Sequence, residues 1–292
     1  MLERRSFCKV NLLLNILGKR ADGFHELETV MHPVNLSDLL SFRREGSAVR
    51  LSCSDPLLPV DSTNLVVRAA WLFLEAAGIR EGVSIHLQKH IPIAAGLGGG
   101  SGNAAATLLA LNELFGQPLG ADALGQMAVA LGSDVPFFLQ SRPALATGRG
   151  ETVAPLDFFP VLRGTCLMLA HPGFGISTAW AYGQLARFGA ACHGWPGRAR
   201  KLISLLEGAD LEAAGREFYN SLEAPSLAKY PLLDLFLEFY RQNGAAGALM
   251  SGSGSATFAL CGSHAAAEAM RERFKSTFGD KIWTAVSAMN EG

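Results

Sequence analysis

The stretch "IPIAAGLGGGSGNAAATLLALNELFG", residues 91–116, decides how this chain is read. Gly96, Gly98, Gly99 and Gly100 crowd one short turn. Glycine has no Cβ, so its backbone can approach a ligand closely and adopt positive φ. Ala104 to Leu114 then supplies strong helix formers. A glycine turn running into a helix aims first-turn N–H groups and the helix dipole at an anion. Ala94, Ala95, Gly96, Leu97, Gly98, Gly99, Gly100, Ser101, Gly102 and Asn103 are therefore expected to hold phosphate, with Ser101 or Asn103 capping the helix. The common phosphate-loop patterns do not fit. Walker A needs a Lys that is absent here. The dinucleotide fingerprint needs a third glycine where Ser101 stands. The hydrolase elbow needs a glycine where Asn103 stands.

Upstream, "GVSIHLQKHIPI" alternates Val83, Ile85 and Leu87 as a strand does. "DSTNLVVRAAWLFLEAAGI" has a capping residue, a helical period and Gly78 as its stop. Nearer the start, residues 5–16 alternate as well. Val10, Leu12, Leu14 and Ile16 share one face; Lys9, Asn11 and Leu13 share the other. Lys9 and Asn11 thus point the same way, about 6.6 Å apart along a strand. A Lys and an Asn in an apolar strand mean either an exposed edge or a shared site. "KRADGFHELETVMHPV" turns at Asp22-Gly23 and enters another strand. Downstream, "LGSDVPFFL" places Asp134 in a short loop, which on its own reads as a turn cap. "MSGSGSATF", residues 250–258, is a second small-residue turn. Together with the first loop it suggests two backbones closing on one ligand. Strands and helices mix without a strict βαβ rhythm, so the expected class is α+β in two domains, 1–158 and 159–292.

Hydrophobic residues make up 49% and charged residues 17% of the 292, which supplies a sizeable core. A net charge of -1 without basic runs disfavours nucleic-acid binding. No apolar run reaches the ~18 residues of a membrane span. The cysteines Cys8, Cys53, Cys166, Cys192 and Cys261 form no CxxC. They read as reduced, buried or incidental thiols of a cytoplasmic enzyme. His86 and His90 would lie about 13 Å apart on a strand, too far to share a metal.

"KVNLLLNI", "PIAAGLGGGSGNAAATLLALN" and "GALMSGSGSATFAL", in that order, resemble the three motifs of the GHMP kinases. The resemblance implies a ribosomal-S5-like N-terminal domain and a ferredoxin-like C-terminal domain. It also implies ATP with Mg2+ and an alcohol acceptor. "CKVNLLLNILGKRADGFHELETVM", "ATGRGE" and "YNSLEAP" resemble the branch whose substrate is 4-diphosphocytidyl-2-C-methyl-D-erythritol. A GHMP kinase for another small alcohol, such as homoserine, is the rival. The resemblance assigns Asp134 as catalytic base and Lys9 as its partner. Phe24, His25 and Tyr182 would hold the cytosine. Asn11, Ser253 and Gly254 would contact substrate. Ser101 would stand near the metal and Asn64 at the adenine. The partner expected is this small molecule, with no nucleic acid and no membrane, for a monomer or weak homodimer.

Overall fold

The computed structural model describes residues 1–189 and 194–291; Cys192 lies outside the described residues. The chain divides into two compact units. The first comprises Met1–Cys8, Leu36–Ile93 and Gly98–Ser141; the second comprises Lys9–Asn35, Ala94–Leu97 and Arg142–Gly292. Two long strands, β1 (Leu2–Lys19) and β2 (His25–Arg44), contribute to both.

The first unit adds β3 (Val49–Cys53), α1 (Leu65–Ala76), β4 (Val83–Gln88), α2 (Gly99–Leu114) and α3 (Ala121–Leu131). Strand β4 pairs parallel with β3 and antiparallel with Leu39–Arg44 of β2. The helical period of α1 buries Val66, Val67, Ala70, Phe73 and Leu74. Its cap is Asn64, whose Oδ1 accepts from the Val66 N–H at 2.9 Å. It stops at Gly78, which takes φ +65°. Helix α2 is apolar nearly all round, and Ala104, Ala105, Leu108 and Leu111 are buried in one cluster with Leu40, Phe42, Phe73 and Leu87. A helix without a polar face is one packed inside its unit.

The start of α2 corrects the sequence reading. Neither Ser101 nor Asn103 caps it. Gly98, left-handed at φ +71°, is the cap, and Gly99 is already helical. The turn ends in a conformation that glycine adopts at little cost, so the helix begins inside the glycine run. Asn103 Nδ2 donates instead to Ser6 Oγ and Asp38 Oδ2.

The second unit holds β5 (Ala144–Gly148), β6 (Thr152–Pro155), β7 (Cys166–His171), α4 (Thr178–Gln184), α5 (Arg198–Leu206), α6 (Leu211–Arg216), β8 (Tyr219–Asn220), α7 (Glu223–Lys229), α8 (Pro231–Gln242), β9 (Gly247–Met250), β10 (Thr257–Cys261), α9 (His264–Phe278) and β11 (Trp283–Ala288). Its antiparallel sheet has the order β11-β7-β10-β9. That order, with α9 between β10 and β11, is the ferredoxin-like split βαβ arrangement expected for the C-terminal half. Leu233, Phe236 and Tyr240 of α8 and Met270 and Phe274 of α9 are buried in one cluster with Met168 and Ala259 of the sheet. Phe236 and Phe274 meet edge to face at 4.8 Å. Elsewhere in this unit, β2 pairs with β5, which turns back as β6, and β1 runs parallel to β8. Cys8, Cys166 and Cys261 are buried thiols and Cys53 is half-buried. Among the described residues, no helix is long and apolar enough to cross a membrane.

Candidate active site

In the second unit Lys9 and Asn11 share one face of β1, as the strand alternation implies, and they are also hydrogen-bonded to each other. Both residues are buried. Lys9 Nζ donates to Asn11 Oδ1 at 2.5 Å and to the Gly96 carbonyl at 3.2 Å. Asn11 Nδ2 donates to Thr29 Oγ1 at 2.8 Å, and that hydroxyl donates on to the Leu13 carbonyl at 2.5 Å. Each side chain in this chain of bonds fixes the next, so the Lys9 ammonium is oriented rather than merely enclosed. The Lys9 N–H also donates to Leu97 O at 3.0 Å, which ties β1 to the loop by its backbone.

The same loop segment meets the second small-residue turn. Ser251 Oγ donates to Gly96 O at 3.0 Å, and the Ala256 N–H donates to Ala95 O at 2.9 Å. A Cβ on Gly96 would collide with the Ser251 carbonyl oxygen. One on Gly252 would lie 3.0 Å from Gly96 O and 3.4 Å from Lys9 Nζ. These glycines let two backbones touch, a requirement separate from making a turn. Side chains hold the 251–255 turn from outside. Asn220 Nδ2 donates to the carbonyls of Met250 at 2.8 Å and Gly252 at 2.7 Å. Glu223 accepts from the Met250 N–H at 2.8 Å. Ser253 Oγ and Thr178 Oγ1 are 2.9 Å apart, and Gly254 takes φ +84°. Burial pushes the Glu223 carboxyl up to about 7. Thr29, Asn220 and Glu223 were not singled out as site residues, although "YNSLEAP" contains two of them.

The aromatic candidates divide. His25 and Tyr182 face each other with ring centroids 5.2 Å apart, tilted by 44°. Burial, and then the Lys19 charge, hold His25 below its ordinary value, so its ring is neutral near pH 7. Phe24 does not join that pair among the ring contacts described. It is 53% exposed, and the Arg149 guanidinium lies over it at 4.6 Å. Arg149 escaped the sequence reading as an individual residue.

In the first unit, Gly98–Asn103 forms the start of α2. Its first turn carries no acidic side chain. The Gly102 N–H makes an intrahelical bond, to Gly98 O at 2.8 Å; the N–H groups of Gly99, Gly100 and Ser101 precede that first bond. A Cβ on Gly100 would meet only Leu65 Cδ1, at 3.8 Å. Those three N–H groups are a donor set for an anion; Lys89 Nζ, 3.2 Å from where a Cβ on Gly99 would be, is buried in its ion pair with Asp38. Ser101 is half-buried in the same turn. Asn64 is occupied as the cap of α1, and its Nδ2 donates to Pro59 O at 2.6 Å. Asp134 is half-buried in the turn where the Val135 N–H closes on Gly132 O at 3.1 Å.

One residue fixes this segment and carried no sequence signal. Asp38, fully buried, accepts from Lys89 Nζ at 2.6 Å, from the N–H groups of His90 and Ile91 at 2.7 and 2.9 Å, and from Asn103 Nδ2 at 3.0 Å. Asn103 also donates to Ser6 Oγ at 3.0 Å. Gly102 lets β1 pass close by, because a Cβ there would lie 2.9 Å from Ser6 Oγ. His86 and His90 have separate partners, Ser52 Oγ and Ser37 O, each at 2.9 Å. Among the described residues, no three His, Cys, Asp or Glu side chains gather as a metal cluster.

Comparison with known proteins matches residues 64–142 to the GHMP kinases N terminal domain and residues 202–280 to the GHMP kinases C terminal domain. The chain is 42% identical to a 4-diphosphocytidyl-2-C-methyl-D-erythritol kinase of Gloeobacter violaceus, across 91% of this chain and 87% of that one. It is 37% identical to the protein of the same name from Syntrophotalea carbinolica, across 97% of both. A crystal structure of 4-(cytidine 5'-diphospho)-2C-methyl-D-erythritol kinase superposes with a TM-score of 0.83 at 35% identity, covering 99% of this chain and 100% of that one.

Proposed function

This chain belongs to the 4-diphosphocytidyl-2-C-methyl-D-erythritol kinases of the GHMP family, and from that premise we propose which of its residues carry the reaction. It is an ATP-dependent phosphotransferase of the non-mevalonate route to isoprenoid precursors. It moves the γ-phosphoryl group to the 2-hydroxyl of 4-diphosphocytidyl-2-C-methyl-D-erythritol. By sequence its two family domains divide near residue 158, whereas the compact units exchange Lys9–Asn35 and Ala94–Leu97 and part at Ser141. The enzyme is cytoplasmic and acts as a monomer or weak homodimer.

Asp134 orients the acceptor hydroxyl and takes its proton. Lys9 places a fixed positive charge for the phosphoryl group in flight. The observation that carries this reading is the 3.2 Å bond from Lys9 Nζ to Gly96 O: the buried strand lysine reaches the glycine loop itself. Gly96 to Asn103 cradles the ATP phosphates, with the N–H groups of Gly99, Gly100 and Ser101 as donors. Asn11 sets Lys9, and Ser253 and Gly254 line the acceptor. His25, Tyr182 and Phe24 hold the cytosine, and Asn64 borders the adenine.

Mg2+ is held in proteins through one or two carboxylates and takes its other ligands from phosphate and water. The first turn of α2 offers the Ser101 hydroxyl and no carboxylate, so the protein's own share of such a shell there would be that one oxygen, with phosphate and water supplying the rest. Mg2+ bound there would neutralise phosphate charge.

The test is ATP turnover with the cytidyl alcohol, with homoserine and with mevalonate, beside an Asp134→Ala variant. Turnover with the cytidyl alcohol alone, reduced about 10²–10⁴-fold in the variant while ATP binding persists, is expected. Full activity in Asp134→Ala would remove the base assignment.

A further inference from the structure

Phe24 and His25 are consecutive in the sequence, but the exposed Phe24 ring and the His25–Tyr182 pair are unequal as platforms. A base inserted between two rings needs about 7 Å between them, twice a van der Waals separation. His25 and Tyr182 stand 5.2 Å apart, so no base fits between them in this arrangement. Phe24 is the aromatic with open surface, and one of its faces is taken by Arg149. Arg149 is held for that task. It sits in the β5–β6 turn between Gly148 at φ +72° and Gly150 at φ +103°. Its N–H donates to Glu151 Oε2 at 2.6 Å, and its Nε lies 3.5 Å from Glu151 Oε1. The β2–β5 register places Leu27 opposite Gly148, which brings the turn beside residue 24. From the other side, Asp22 Oδ1 accepts from the Phe24 N–H at 3.1 Å.

We propose that Arg149 is a positioning residue for pyrimidine recognition: it backs the Phe24 ring and leaves one defined face for the base to stack on. The inference rests on the cytidyl-substrate reading and deepens it. Stacking is tolerant of ring identity, so a platform with two free faces would hold a base loosely. A guanidinium on one face removes that freedom and adds a cation–π contact. Arg149 acts through Phe24 and not by touching the reacting atoms.

The test is steady-state kinetics of the full chain as wild type, Arg149→Met, Phe24→Ala and the double variant. Phe24→Ala should raise KM for the cytidyl alcohol about 10-fold, as loss of one stacked base does. Arg149→Met should raise it about 3-fold, the scale of an exposed cation–π contact. The KM for ATP should not move in either. In the double variant Arg149→Met should add nothing, because its effect passes through the ring. Arg149→Lys should recover part of the loss. An Arg149→Met effect of equal size with and without Phe24, a shift in the KM for ATP, or no effect at all would overturn the proposal. A wild type that turns over no cytidyl alcohol would instead sink the parent reading. Calorimetric binding of CDP by the same four proteins would then decide the Arg149 question by the same comparison.

Discussion

Asp38 in the first unit and Glu223 in the second are both carboxylates turned inward, and each anchors a turn by its backbone N–H groups. They are kept in different ways. Asp38 takes four donors from two segments of chain, residues 89–91 and Asn103, and one of them is the Lys89 ammonium. Glu223 takes the Met250 N–H. Burial of its carboxyl outweighs that bond and the more distant Arg241 charge, so its proton is held up to about 7. A buried carboxylate with a counter-ion and full coordination is a rivet; one with a single amide donor is a group that can change charge near neutrality.

The comparison can be broken most forcefully at Asp38. Asp38→Asn strands the Lys89 ammonium and sets one amide N–H2 against another at Asn103. Denaturant unfolding should show a loss of about 3–5 kcal/mol. Adding Lys89→Met should return part of it, because the stranded charge goes too. A single-variant loss below about 1 kcal/mol would mean that Asp38 is no rivet.

Glu223 should be read by pH. It binds its proton more tightly in the folded chain than in the unfolded one. Its contribution is therefore complete below its ordinary 4.5 and is lost as the pH rises through about 7. The loss amounts to at most about 3 kcal/mol. Glu223→Gln keeps the acceptor for Met250 and removes the titration. Relative to wild type, the variant should gain stability steadily from pH 4.5 to pH 8. Parallel pH profiles for the two proteins would place the Glu223 pKa elsewhere. The smallest change is Asn103→Ala, which withdraws one of four donors from Asp38 and should cost about 2 kcal/mol. A cost as large as that of Asp38→Asn would make Asn103, not the ion pair, the centre of the network.

What was legible in the sequence follows the range of each interaction. Lys9 and Asn11 are two residues apart, and strand alternation alone put them on one face. Asn64 and Gly78 bracket α1 by local cap chemistry. Ferredoxin-like topology came with the motif resemblance. The start of α2 was misjudged because cap rules are local, while Asn103 answers to Asp38, far away in the chain. Asp38 itself looks like any acidic residue after a serine; four converging donors cannot be read from one letter. The two letters Phe24-His25 did not disclose that the rings would part, one to Tyr182 and the other to Arg149.

The way the second unit is stitched has a consequence for the order in which the protein comes into being. Every segment of the first unit has been synthesised once Ser141 is added. The second unit begins at Lys9, yet Val34 is bridged to Met289, and the Asn290 N–H closes on Pro33 O at 3.2 Å. Its opening segment must therefore wait on the ribosome until Met289 and Asn290 have been made. The entropy of so wide a closure grows only logarithmically with the span. The thermodynamic cost is thus modest, and the burden falls on time: an unfinished sheet edge has to be kept from other partners until those residues arrive.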